Sequence, residues 1–73
     1  MDMRRLVGQN VKIYRGRLGI SQEELAFRAD LHRTYVSGVE RGIRNPTVVI
    51  IERLAKALEV EAAALLAAKS VRK

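Results

Sequence analysis

The amino-acid sequence predicts an all-α fold, a compact bundle of five short helices in a single domain over residues 1–73. Apolar residues recur at helical spacing along the chain, and no segment continues the alternation that is typical of a strand. Glycine, serine and threonine stand where helices would begin and end. A chain of this length buries one hydrophobic core, and its 48% hydrophobic and 30% charged residues are typical of a folded domain.

The first two helices have clear boundaries in the sequence. We predict the first over about residues 4–18, where the apolar residues share one stripe: Val7, Val11, Tyr14 and Leu18. The second follows Ser21 and ends near Asp30. The Ser21 hydroxyl can cap this helix while Glu24 reaches back, which is the pattern of a capping box.

Three further helices are predicted in the second half of the chain. The third covers about residues 33–41, with His32 as its cap. The fourth is capped by Thr47 and places its apolar residues on one face: Val48, Ile51, Leu54, Ala55 and Leu58. The fifth, over about residues 61–69, is rich in alanine.

Charge and composition narrow the possible functions. Fourteen Lys and Arg against eight Asp and Glu give a net charge of +6, which attracts polyanions, and nucleic acid is favoured over membrane because no long basic amphipathic helix with bulky aromatic residues is present. The chain has no cysteine, and its one histidine, His32, has no partner at ligand spacing. We therefore expect no metal, no cofactor and no enzymatic activity. With no signal peptide or spanning segment, we predict a cytoplasmic protein.

The second and third helices are joined by a short turn at residues 30–32, so that residues 21–41 have the pattern of a helix-turn-helix. In this geometry the second of the two helices can lie in the major groove of DNA. Ala26 is small because the helices touch there, and Asp30 falls where the chain needs a left-handed conformation. We expect Leu31 and Val36 to seal the angle between the helices.

Three segments resemble the Cro and phage-repressor helix-turn-helix family, also called XRE-like: Leu18-Gly19-Ile20-Ser21-Gln22-Glu23-Glu24-Leu25-Ala26, Val36-Ser37-Gly38-Val39-Glu40-Arg41-Gly42 and Arg44-Asn45-Pro46-Thr47. Within that family, residues 31–41 are similar to the recognition region of the controller proteins of restriction–modification systems. The resemblance implies a lambda-repressor-like DNA-binding domain. It also implies a transcriptional regulator that binds a near-palindromic operator in double-stranded DNA as a homodimer.

The resemblance assigns base reading to Arg33, Thr34 and Ser37 on the third helix. The chemistry agrees, because Arg donates two hydrogen bonds to guanine O6 and N7, whereas Thr and Ser make weaker contacts or touch a thymine methyl. A second group is assigned to DNA phosphates: Gln22, His32, Tyr35, Arg41, Arg44 and Asn45. At the start of the second helix, free backbone N–H groups also favour an anion.

The resemblance also implies a partly buried ion pair between the first and third helices, which maps onto Arg15 and Glu40. Gly38 lies inside the third helix, where glycine is unfavourable. We therefore expect it to serve a close approach to another backbone or to DNA.

A homodimer interface is expected on the fifth helix, because a core this small leaves apolar residues uncovered. The residues assigned to it are Leu65, Leu66 and Val49. We expect the tail at residues 70–73 to be disordered and to attract DNA without sequence preference. No small-molecule ligand and no membrane partner are expected.

Two other functions fit the same sequence. An antitoxin would bind DNA in the same way and would also bind a toxin. A helical bundle that binds only protein partners would match its basic surface to an acidic one.

Overall fold

The computed structural model describes residues 2–68, and within that range every regular element is a helix. The helices are α1 (Met3–Leu18), α2 (Gln22–Ala29), α3 (Arg33–Glu40), α4 (Val48–Leu58) and α5 (Ala62–Leu66). The predicted all-α fold of five helices is therefore confirmed. The tail at residues 70–73, for which a DNA contact was expected, lies outside the described residues.

Hydroxyl side chains begin α2 and α4, as the sequence predicts. Ser21 Oγ accepts from the backbone N–H of Glu24 at 2.9 Å, and Thr47 Oγ1 accepts from that of Ile50 at 3.2 Å. The reciprocal half of the capping box is wrong, because the Glu24 carboxylate instead accepts from Arg28 Nε at 2.8 Å. One helical turn separates those two side chains, so their pairing competes with the backward reach.

Two helices end on a non-glycine residue in the left-handed conformation. Asp30 has φ 59° after α2, as predicted, and Glu59 has φ 64° after α4. His32 lies at the start of α3 but makes no side-chain hydrogen bond as a cap. Within the turn at residues 30–32, the left-handed backbone of Asp30 changes the direction of the chain, and the His32 side chain adds no hydrogen bond to the start of α3.

The helices enclose one apolar core, in which α1 packs on α3, α4 and α5, and α2 packs on α3 and α4. The residues buried in it are Val7, Val11, Leu25, Ala26, Ala29, Val36, Val39, Ile51, Leu54, Ala55, Leu58 and Leu65. Val48 was placed with the apolar face of α4, and this is wrong: its side chain is 82% exposed. Val48 is the first residue of α4, where the helix has not yet reached the core.

Gly8 allows α1 and α3 to pack closely. A Cβ atom on Gly8 would lie 2.2 Å from the Val39 carbonyl oxygen and 2.9 Å from that of Glu40. These are backbone atoms, which cannot move aside, so a larger residue would push the two helices apart. No local pattern in the sequence predicts this contact.

The fifth helix is shorter than predicted. It covers Ala62–Leu66 rather than about residues 61–69, and Ala67 is already extended. The buried Asn10 side chain explains this end point, because its Nδ2 donates to the carbonyls of Leu65 at 2.9 Å and Ala67 at 3.0 Å. An amide from α1 thus satisfies carbonyls that a longer helix would have bonded itself.

The assignment of Leu65 to the dimer interface is wrong. Its side chain is fully buried and belongs to the core formed with α1 and α4. Leu66 is 43% exposed and Val49 is 61% exposed, so these two assigned residues remain available at the surface.

Arg15 and Glu40 form the ion pair that the sequence analysis expects between α1 and α3. Arg15 Nε donates to Glu40 Oε2 at 2.6 Å and Nη2 donates to Oε1 at 3.0 Å, while Nη1 donates to the Ile20 carbonyl at 3.0 Å. The side chains are only 18% and 4% exposed. Hydrogen bonding to the Glu40 carboxylate raises the pKa of Arg15 above its ordinary value.

Removing the carboxylate of this pair should destabilise the fold strongly. We expect Glu40→Ala to lower the free energy of unfolding by about 3 kcal/mol, because the Arg15 guanidinium would remain largely buried without its partner. Thermal and urea unfolding of the purified variant would measure the loss.

The matched control is Glu24→Ala, which removes a carboxylate from the exposed pair with Arg28. It should cost less than about 1 kcal/mol. Equal losses for the two variants would show that the Arg15–Glu40 pair contributes no more than a surface pair.

Candidate nucleic-acid interface

The first turn of α3 projects polar side chains away from the core. Arg33 and Thr34 are exposed, and Ser37, one turn further on, is half-buried. Val36 and Val39 on the opposite side of α3 are fully buried, and their packing fixes which side of the helix faces outward. We call the side chains of Arg33, Thr34 and Ser37 the α3 surface. The three residues predicted to read bases therefore share one outward face.

The residues predicted to bind phosphates form two groups along the chain, apart from Tyr35 within α3. The first group precedes α3: His32 is exposed at its start, and Gln22 stands at the start of α2. Gln22 Nε2 donates to Glu40 Oε1 at 3.0 Å, so its amide is held by the carboxylate that also pairs with Arg15. A neutral amide fixed in this way can offer its other N–H to a phosphate oxygen.

The second group follows α3. It comprises three exposed residues: Arg41, Arg44 and Asn45. The loop that carries them folds back over α3. The backbone N–H groups of Ile43 and Arg44 both donate to the Gly38 carbonyl, at 3.0 and 3.3 Å. This fold brings the charge of Arg44 back beside α3. With Arg33 and Arg41, it gives the region three guanidinium groups.

Tyr35 and Arg44 are in contact. The Arg44 Cζ lies 5.7 Å from the centroid of the Tyr35 ring, which is the geometry of a cation–π interaction. Gly38 accommodates the same arginine, because a Cβ there would lie 2.6 Å from Arg44 Cγ. The expected approach of another backbone to Gly38 is therefore wrong; the nearest atoms belong to the Arg44 side chain.

Arg53 on α4 supports the turn that precedes α3. Its Nε donates to the Ala29 carbonyl at 3.1 Å and its Nη2 donates to the Asp30 carbonyl at 2.5 Å. These carbonyls end α2, so a side chain from α4 fixes the angle at which the chain enters α3. Arg53 was not predicted as part of the site, since no local pattern marks a contact across 23 residues.

The surface has the chemistry of an anion-binding face rather than of a catalytic cleft. Its side chains are hydrogen-bond donors and hydroxyls on an exposed helix. Over residues 2–68, no cluster of three or more acidic or histidine side chains is placed to hold a metal ion. The helices within that same range are too short or too polar to span a membrane.

Comparison with known proteins also identifies a helix-turn-helix over the part of the chain that includes α2 and α3. A family model described as helix-turn-helix matches residues 11–65. Control protein C.BamHI of Bacillus amyloliquefaciens is 49% identical over 61 residues, which are 82% of this chain and 75% of that protein.

Two solved structures extend the comparison to the fold. The restriction–modification controller protein C.AhdI from Aeromonas hydrophila shares 47% identity with a TM-score of 0.82, over 85% of this chain and 94% of that one. The controller protein C.Esp1396I, solved as a tetramer in complex with its natural 35 base-pair operator, shares 37% identity with a TM-score of 0.81, over 89% of this chain and 86% of that one. Because the family model spans most of the chain and includes α2 and α3, this chain belongs to the helix-turn-helix family, as its resemblance to the Cro and phage repressors predicts.

Proposed function

We propose that this chain is a transcriptional regulator that binds double-stranded DNA with sequence specificity and inserts α3 into the major groove. The observation that carries the proposal is the outward face of α3, where Arg33 and Thr34 in the first turn are exposed and the opposite side is locked into the core. N-terminal residues of a recognition helix are the ones that reach base edges.

The side chains divide into base readers and backbone contacts by their position. Arg33, with a forked donor in the first turn, suits guanine O6 and N7, while Thr34 and Ser37 suit weaker polar contacts or a thymine methyl. Arg41, Arg44 and Asn45 lie beyond the helix, where phosphates are within reach. Gln22, His32 and Tyr35 complete the backbone contacts on either side of α3.

We infer that the active form is a symmetric homodimer on a near-palindromic operator. Two copies of α3 about 34 Å apart would enter successive major grooves on one side of the duplex. Leu66 on α5 and Val49 on α4 are exposed apolar residues that a second copy could cover. The operator complex of the tetrameric C.Esp1396I supports DNA binding by an oligomer.

We further infer a controller role in a restriction–modification system, because the similar proteins include the control protein C.BamHI and the controller proteins C.AhdI and C.Esp1396I. The antitoxin alternative gains no support from these comparisons. A bundle that binds only proteins would show no preference among duplex sequences. For a DNA-binding regulator, affinity should fall by orders of magnitude between about 50 and 200 mM salt, because bound phosphates release counterions.

Substitution of two arginines should separate base reading from backbone binding. We expect Arg33→Ala to weaken binding to the preferred duplex by about 1–3 kcal/mol and to leave binding to a scrambled duplex nearly unchanged. Arg44→Ala should weaken both duplexes about equally and lower the salt slope by about one unit per half-site.

The measurement is a titration of both variants with both duplexes at two salt concentrations. Equal losses on the two duplexes for Arg33→Ala would contradict its role as a base reader. A loss confined to the preferred duplex for Arg44→Ala would contradict its role at the phosphates.

The dimer is tested in the absence of DNA. We expect Leu66→Lys to raise the dissociation constant of the homodimer by about tenfold or more, because a charge would replace apolar surface buried between the copies. Sedimentation equilibrium measures this constant.

Phe27→Lys is the control, since Phe27 is also an exposed apolar residue, 82% accessible, but lies on α2 beside the α3 surface. It should leave the dissociation constant unchanged. A dimer insensitive to Leu66→Lys would place the interface elsewhere, and a wild-type monomer at high micromolar concentration would refute the dimer itself.

A further inference from the structure

We propose that Gly38 is a positioning residue for DNA binding: the missing side chain allows Arg44 to lie across α3 against the Tyr35 ring, so that its guanidinium is held beside the α3 surface before DNA arrives. The inference rests on the proposed function in one respect, namely that Arg44 contacts a phosphate.

The first support is the space at Gly38. This glycine is buried within α3, and the three atoms outside the helix backbone that an added Cβ would approach most closely all belong to one side chain: Arg44 Cγ at 2.6 Å, Nε at 3.3 Å and Cδ at 3.5 Å. A contact of 2.6 Å is too short for any real Cβ atom. The arginine side chain would have to leave its present path even for the smallest substitution.

The second support is the anchoring of the loop backbone. The Gly38 carbonyl accepts from the N–H groups of Ile43 and Arg44, and Gly42, with φ 78°, turns the chain back toward α3. Because the Arg44 backbone is held beside Gly38, a new Cβ would be accommodated by the flexible side chain rather than by the loop. The displacement would therefore fall on the charged group.

The third support is the partner of the guanidinium. Arg44 Cζ lies over the half-buried ring of Tyr35. An arginine supported along its stem by α3 and at its head by an aromatic ring loses fewer conformations on binding than a free one. Gly38 and Tyr35 together form the binding surface for the Arg44 side chain, which would otherwise extend freely into solvent.

Gly38→Ala should have a consequence that a purely structural role would not produce. Alanine is more favourable than glycine inside a helix, which offsets the cost of displacing Arg44 from its Cγ outward, so the melting temperature should change little. The same substitution should weaken binding to duplex DNA by about 3- to 10-fold and reduce the salt slope, since one phosphate contact per half-site is lost. Affinity would thus fall without a matching loss of stability.

The control is Gly16→Ala on α1, where an added Cβ would meet nothing within 4 Å. It makes the same change inside a helix and should leave affinity for DNA unchanged. A loss of affinity in Gly16→Ala as large as in Gly38→Ala would overturn the inference, because the effect would then not depend on Arg44.

The deciding experiment is a double-mutant cycle with Gly38→Ala, Arg44→Ala and the double variant, each titrated with duplex DNA at two salt concentrations. We expect the double variant to bind as weakly as Arg44→Ala alone. Additive losses would overturn the inference, because Gly38 would then act without Arg44.

A readout in the free protein separates this inference from the proposed function. In the NMR spectrum, ring-current shifts from Tyr35 on the Arg44 side-chain protons should be present in the wild type and lost in Gly38→Ala. Shifts that persist in Gly38→Ala would overturn the inference that Gly38 allows Arg44 to lie against Tyr35. Lost shifts together with an Arg44→Ala variant that binds DNA normally would instead refute the phosphate contact, and with it the effect of Gly38 on DNA binding.

Discussion

The structure depends most on the guanidinium of Arg15. It pairs with Glu40 at the last turn of α3 and also donates to the Ile20 carbonyl, which lies between α1 and α2. The same carboxylate accepts from Gln22 at the first turn of α2. One buried ion pair thus joins three helices, and Gly8 allows α1 to come close enough for the pair to form. The direction of α3 follows from these contacts.

The residues that we assign to DNA differ in their surroundings from the residues that hold them in position. Most of the side chains that we assign to DNA are exposed, and three are partly buried: Gln22, Tyr35 and Ser37. The residues that place them are buried or hydrogen-bonded within the protein. Arg53 fixes the turn before α3, and Gly38 accommodates the arginine that follows it. Side chains can recognise a groove with precision only if they project from a rigid element. Here α3 is held in place by side chains of α1, α2 and α4.

Local sequence predicts the parts of the fold that local chemistry determines. The stripe from Val7 to Leu18, the caps at Ser21 and Thr47 and the left-handed turn at Asp30 all follow from neighbouring residues. The ion pair of Arg15 was expected only from the family resemblance, because the pattern of one helix does not show which residue of another it meets. The outward face of α3 was likewise assigned by resemblance, and the chemistry of its residues supported that assignment.

Long-range contacts account for what the sequence did not predict. The alanine-rich end of the chain has little periodicity to predict its structure. The Leu65 side chain is buried by packing against α1 and α4, and the early end of α5 coincides with the bond from Asn10, 55 residues away.

The central claim, that α3 reads duplex DNA as one of a symmetric pair, is tested most directly by selecting bound duplexes from a random pool. The account predicts enrichment of a two-fold symmetric sequence with half-sites about one helical turn apart. A pool that shows no enrichment, or that yields a single asymmetric half-site, would contradict it.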